Sequence, residues 1–192
     1  MTADGKTIAR TEAAAFGGTP RVHRYSNDAE TLSVNILSAV DGPQAGVTSY
    51  GTVDLSTFDN GLQSAAGKEI RVEILSACAS TVETFGNIVM ACALNVASGR
   101  HSLTPGVIHP RTVELYEPEV TMKHMLLVPP FLWGEDALTP LEDDEAVVLF
   151  LQGVPISDAE LQFAEEHGTE ALEDRFVEAQ IDVFDLNRPS VV

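Results

Sequence analysis

From residue 31 onward the apolar positions fall on every second residue. In TLSVNILSAV, Leu32, Val34, Ile36 and Val40 lie on one face, and the turn residues DGPQAG follow, which predicts a strand and its stop. GVTSYGTVDLS comes next at hairpin distance, rich in β-branched residues, and Asn60-Gly61 marks another turn. KEIRVEILSAC alternates again, with Ile70, Val72 and Ile74 expected inward and Arg71 and Glu73 outward. Three such strands in succession predict an antiparallel meander. The period then changes. Val82, Phe85, Val89, Cys92 and Val96 recur at helical spacing up to Gly99, and Ser80 with Glu83 forms a capping-box pattern at the expected start. Ile88, Met90 and Leu94 fill the other faces, so this helix is expected to be largely buried across the sheet.

The second half begins with the Pro-punctuated connection GVIHPRTVELYEPE. The mostly apolar VTMKHMLLV ends before Pro129, and EAVVLFLQGVPI is a continuous apolar run, as a strand covered on both faces would be. A helix is predicted to follow, with Ser157 as N-cap, Glu160 completing a capping box and Ile156 against Leu161 as a hydrophobic staple. Asp158 and Glu160 suit the positive end of its dipole. Gly168 stops it, Thr169 is expected to cap the next helix, and Leu172, Phe176 and Ala179 give that helix its stripe. Residues 1–28 show no clear periodicity; TEAAAF fits one or two helical turns.

With 192 residues, 44% of them apolar, the chain suits one domain with a core that needs no staples. The N-terminus lacks the apolar region of a secretory signal, and no stretch approaches the ~20 apolar residues of a membrane span. Cys78 and Cys92 sit in apolar surroundings without CxxC spacing, so buried free thiols and a cytoplasmic location are expected. Charge changes the picture more. Residues 1–112 carry 10 acidic and 8 basic side chains, whereas residues 113–192 carry 19 and 3, the two parts making the net −18. Such a face repels nucleic-acid phosphates and anionic lipid, whose affinity comes from Lys and Arg. It attracts a basic protein and speeds the encounter at low salt. An acidic surface also serves solubility alone.

Candidate chemistry is sparse. There is no G-x-S-x-G elbow, Walker A or G-x-G-x-x-G segment, and the five histidines show no H-E-x-x-H or zinc-finger spacing. His101, His109 and His124 meeting around a metal is weighed against unrelated, satisfied histidines, which is the reading adopted; His167 suits a helix C-terminus. The run Glu142, Asp143, Asp144 and Glu145 lacks the alternate ligands and central Gly of a calcium loop. Adjacent acids on a loop fan outward into water, so a solvated loop or a partner-facing patch is expected there. Glu165, Glu166, Glu173, Asp174 and Glu178 have no evident intramolecular duty. Trp133 is expected at the core edge with its indole N–H satisfied, with a ligand-lining role as the alternative. No catalytic residue, metal site or cofactor is assigned.

MKHMLLVPPFLW, VVLFLQGVPISDAELQFAEEHG and ALEDRFVEAQIDVFDLNRPSVV, in this order, resemble the suppressor of fused family; VTSYGTVDLS and RVEILSACAS are more loosely similar to its early strands. The resemblance implies an α+β fold in which a mixed, largely antiparallel sheet is flanked by helices. Residues 1–28 are then a partly irregular extension and residues 29–192 one suppressor of fused-like domain. Eukaryotic members are inhibitors without known catalysis that sequester a transcription factor, a second domain completing a clamp around a peptide added as a strand. That second domain is expected to be missing from this chain, so no peptide-contact residue is carried over. Short bacterial members are implied to be immunity proteins against secreted toxins. The expectation is therefore a non-catalytic protein-binding inhibitor of a basic toxin, with no nucleic-acid or membrane partner. Its contacts are placed on Glu142, Asp143, Asp144, Glu145, Glu165 and Glu166. The alternatives are an enzyme or small-ligand protein with a pocket near Trp133, His101 and His109, and an adaptor for another cellular protein.

Overall fold

The structure, a computed structural model, describes residues 4–27, 29–99, 103–134 and 136–192. The alternating segments form β2 (Ser33–Val40), β3 (Val47–Thr52) and β5 (Glu69–Ala79), paired antiparallel as a meander; the two apolar runs of the second half form β7 (Met122–Val128) and β9 (Ala146–Ser157). With β1 (Thr19–Ser26) and β6 (Ile108–His109) they make a sheet in the order β1-β2-β3-β5-β9-β7-β6, and the short β4 (Leu62–Gln63) and β8 (Leu141–Glu142) pair with β5 and β9. Among the described residues every pairing is antiparallel except β5 with β9, where Ile70 lies beside Val147 and Leu75 beside Gln152. The fold is α+β, with a mixed, mostly antiparallel sheet.

Helices cover both faces. The helix α2 (Phe85–Ala97) packs Phe85, Ile88, Val89 and Cys92 on Val34, Ile36, Val72 and Ile74. On the opposite face α1 (Gly5–Phe16) sets Ile8 and Phe16 against Leu37, Ala39 and Leu75. Further along that face, α3 (Asp158–His167) and α4 (Thr169–Ala179) bury Ala164, Leu172 and Phe176 on Leu126, Val128, Val154 and Ile156.

Residues 5–26 hold a helix and a strand within the segment expected to be a partly irregular extension. The reason is physical. The buried stripe of α1 is one residue per turn, Ile8, Glu12 and Phe16, and its middle member is a carboxylate. The strand β1 is an edge exposed along nearly its whole length, so it needs no alternation. Glu73, expected outward, is fully buried because α1 covers the face it points to. Its carboxylate accepts from Thr52 Oγ1 at 2.5 Å and from the N–H groups of Leu55 and Ser56. Two caps also differ from expectation. Ser80 shares a 2.8 Å hydrogen bond with Thr48 across the sheet, so the chain spends residues 80–84 turning and α2 starts at Phe85. Thr169 is the first residue of α4 and not its cap; Gly168 precedes it at φ 91°. At α3 the Ser157–Glu160 capping box forms as its sequence predicts.

Candidate partner-binding surface

The acidic run lies in the turn joining β8 to β9. Asp143 Oδ1 accepts the N–H groups of Glu145 and Ala146 at 2.8 and 2.9 Å, and those bonds hold its carboxyl down at about pKa 2. Asp143 therefore builds the turn and does not fan into water. Glu142 pairs with Lys68 Nζ at 2.7 Å. Asp144 and Glu145 remain exposed beside a shallow polar cleft formed with Gln63 and residues 66–69.

Glu165 and Glu166 occupy the far turn of α3, both exposed; Glu166 accepts from Gln162 at 2.9 Å and its other oxygen lies 3.9 Å from His167 Nε2. The turn precedes the first residue of β9 and α3 follows its last, so the twelve residues of the strand, roughly 40 Å, separate the two starting points. The six candidate residues form two patches, not one.

Other carboxylates of the second half have structural partners. Asp158 accepts from Lys123 Nζ at 2.6 Å and from the buried His124 Nε2 at 3.0 Å, and the Lys123 ammonium chiefly holds its carboxyl low. His124 Nδ1 accepts the N–H of Arg111. Glu160 is buried and binds Arg188 through both carboxylate oxygens, and it also accepts the N–H groups of Ser157 and Val191. The terminal segment is tied in this way to the start of α3.

Between α4, its following turn and the ends of β7 and β9 lies an apolar groove of about 460 Å³, lined by Val128, Val154, Phe176, Val177, Ile181 and Val183, with Phe131, Glu173 and Gln180 at its edges. Two of its large apolar side chains face solvent, Phe131 at 54% and Val177 at 78% exposure. The sequence signal is slight: α4 carries Val177 immediately after Phe176, one apolar residue more than its buried stripe requires.

Trp133 belongs to the core. Its ring lies 4.8 Å from that of Phe16, its indole N–H donates to Ser49 Oγ at 2.9 Å, and it is 8% exposed. This is the core-edge position with a satisfied N–H that the sequence predicts, and Phe16 and Ser49 occupy the space beside the indole that the alternative reading gave to a ligand. His109 is buried with Nδ1 2.9 Å from Asn95 Nδ2, and His101 lies outside the described residues. Among the described residues no group of three or more His, Cys, Asp and Glu is placed to hold a metal ion, and no helix is long and apolar enough to cross a membrane. Cys78 and Cys92 are buried free thiols, each pushed up to about pKa 12 by burial.

A model of the suppressor of fused protein family matches residues 30–189. The chain is 42% identical over 192 residues to the immunity protein YqcF of Bacillus subtilis (strain 168), covering all of this chain and 99% of that one. Among solved structures, a suppressor of fused homologue from Neisseria gonorrhoeae FA 1090 superposes with a TM-score of 0.67 at 19% identity, over 98% of this chain and 96% of that chain. The crystal structure of the Sufu-Fu complex superposes with a TM-score of 0.62 at 14% identity, over 97% and 91%. At these identities the two structures speak for the fold.

Proposed function

The chain belongs to the suppressor of fused family, and on that premise we propose that it is a cytoplasmic, non-catalytic inhibitor that neutralises a basic protein toxin by binding it. The observation that carries this reading is the end-to-end relation to an immunity protein at 42% identity. The charge distribution supports the basic character of the partner: 19 acidic against 3 basic side chains in residues 113–192 attract a cationic protein and speed its encounter. A toxin that attacks nucleic acid is itself basic, so one acidic face gives its neutraliser both rate and selectivity. Asp144, Glu145, Glu165 and Glu166 supply the steering charge in this reading; Glu142 is exposed as well but is paired with Lys68.

The test is affinity capture from the host lysate at about 50 and about 300 mM salt, a range over which the screening length falls well below 10 Å. Retention of one basic protein, held at the lower salt and weakened at the higher, is the expected result. Retention of nothing above a charge-matched control protein, or of a neutral or acidic partner insensitive to salt, would overturn the reading.

A further inference from the structure

The apolar groove beside α4 combines three features that ordinary surface does not. Its apolar residues, Phe131, Phe176, Val177 and Ile181 among them, line one groove together, where isolated exposed hydrophobics would need no explanation. Phe131 is exposed and its backbone is fixed: its N–H and that of Leu132 both donate to Oε1 of the buried Gln152, at 3.0 and 3.2 Å. The lip is acidic. The helix α4 carries Glu170, Glu173, Asp174 and Glu178 against the single Arg175. That arginine is spent on Glu178 at 3.0 Å and lies over the Phe163 ring.

Glu173 links the two characters. It lines the groove itself, half out of water, and burial followed by the charges of Glu170 and Asp174 holds its carboxyl above the ordinary value. An arriving cation relieves both. A second copy of the chain meets the opposite situation, since α4 against α4 sets carboxylates against carboxylates.

We propose that this groove is the docking site for a basic amphipathic segment of the protein partner, which seats an apolar side chain between Phe131, Phe176 and Val177 and sets a Lys or Arg against Glu173. The inference rests on the protein-binding reading above and adds to it a location and a recognition chemistry. Buried apolar anchors ringed by polar contacts dominate binding energy in protein interfaces, whereas rim charges mainly set rate and salt dependence. The groove supplies the anchor that neither exposed acidic patch has.

The experiment uses the full chain, isotope-labelled for NMR, and three model peptides: a Leu/Lys amphipathic helix, a Gln/Lys peptide of equal charge and a neutral Leu/Gln helix. The Leu/Lys peptide is expected to bind at least ~10-fold tighter than either other peptide, a step of ~1.4 kcal/mol, with the largest amide shifts at Phe131, Glu173 and Val177. The double variant Phe131→Gln with Val177→Gln, which alters only exposed side chains, loses that preference and keeps the salt dependence. Glu173→Lys weakens binding and flattens its salt dependence. Equal affinity for the two charged peptides, equal binding of the neutral one, shifts scattered over both acidic patches, or self-association of the chain through this face would each overturn the proposal. The two readings fail separately. A lysate protein held equally by wild type and the double variant keeps protein binding and removes the groove; peptide docking with no protein ever retained does the reverse.

Discussion

Arg188 of the C-terminal segment closes on Glu160 of α3 in a buried, two-pronged ion pair, Nη1 to Oε1 at 2.7 Å and Nη2 to Oε2 at 3.0 Å. Both side chains are all but removed from water, and the guanidinium lies 5.3 Å above the Phe176 ring. The same carboxylate completes the capping box at the start of α3 and takes the Val191 N–H. Glu160 therefore ties the sheet-to-helix junction to residues 188–191.

Breaking that pair by removing one partner leaves a buried charge without its counter-ion. Arg188→Ala is expected to cost ~3–5 kcal/mol, read as a lower urea midpoint, whereas the same change at the exposed Arg175 should stay within ~0.5 kcal/mol. Equal effects of the two substitutions would contradict the assignment.

Stability should fall as pH rises from mildly acidic to mildly basic. Glu73 is raised from 4.5 to about 8 and Glu12 well above its ordinary value, each chiefly by burial. For an acid with a raised native pKa, the native state keeps a proton that the unfolded chain releases, so unfolding gains with pH between the two values. The loss runs from 4.5 to about 8 and is complete above that. Among the described residues no hydrogen-bond partner reaches either oxygen of Glu12, which is packed where a Cβ on Gly51 would strike it. Glu12→Gln should therefore flatten the slope in urea melts taken across this range. An unchanged slope would remove Glu12 from the account.

Asp143 and its neighbour Asp144 should behave differently despite equal charge. Asp143→Ala removes the acceptor, loosens the β8–β9 turn and speeds amide exchange at Glu145 and Ala146, whose N–H groups it holds. Asp144→Lys should leave exchange unchanged and alter only the salt dependence of partner association. Faster exchange in both variants would mean that the turn depends on net charge and not on those two bonds.

Both thiols should resist modification in the folded protein. Cys78 and Cys92 are fully buried and carry almost no thiolate at neutral pH. A thiol reagent should titrate neither under native conditions and both in denaturant; rapid native labelling would show that α2 or its surroundings open.

The meander, the two apolar strands and the α3 cap are legible in the sequence because each depends on near neighbours: alternation, run length, or a Ser and a Glu three residues apart. What escapes is set by contacts across the fold. Glu73 alternates like a solvent-facing residue, and the placement of α1 over that face, with the hydrogen bonds from Thr52, Leu55 and Ser56, reverses it. The α1 stripe is hidden by the carboxylate of Glu12, and β1 lacks a pattern because it is exposed along nearly its whole length, with only Tyr25 packed against the core. Charge per segment could be counted, but the placement of the acidic turn and of α3 at opposite ends of β9 could not. The groove needs Phe131, Val177 and the ends of two strands, which no window of sequence brings together.

The most direct test of the central claim is growth of cells expressing the captured partner with and without this chain. The account predicts that the partner alone arrests growth, that the wild-type chain restores it, and that Asp144→Lys, Glu145→Lys, Glu165→Lys and Glu166→Lys combined restore it less well. A partner harmless on its own, or toxic yet unaffected by the chain, would contradict it.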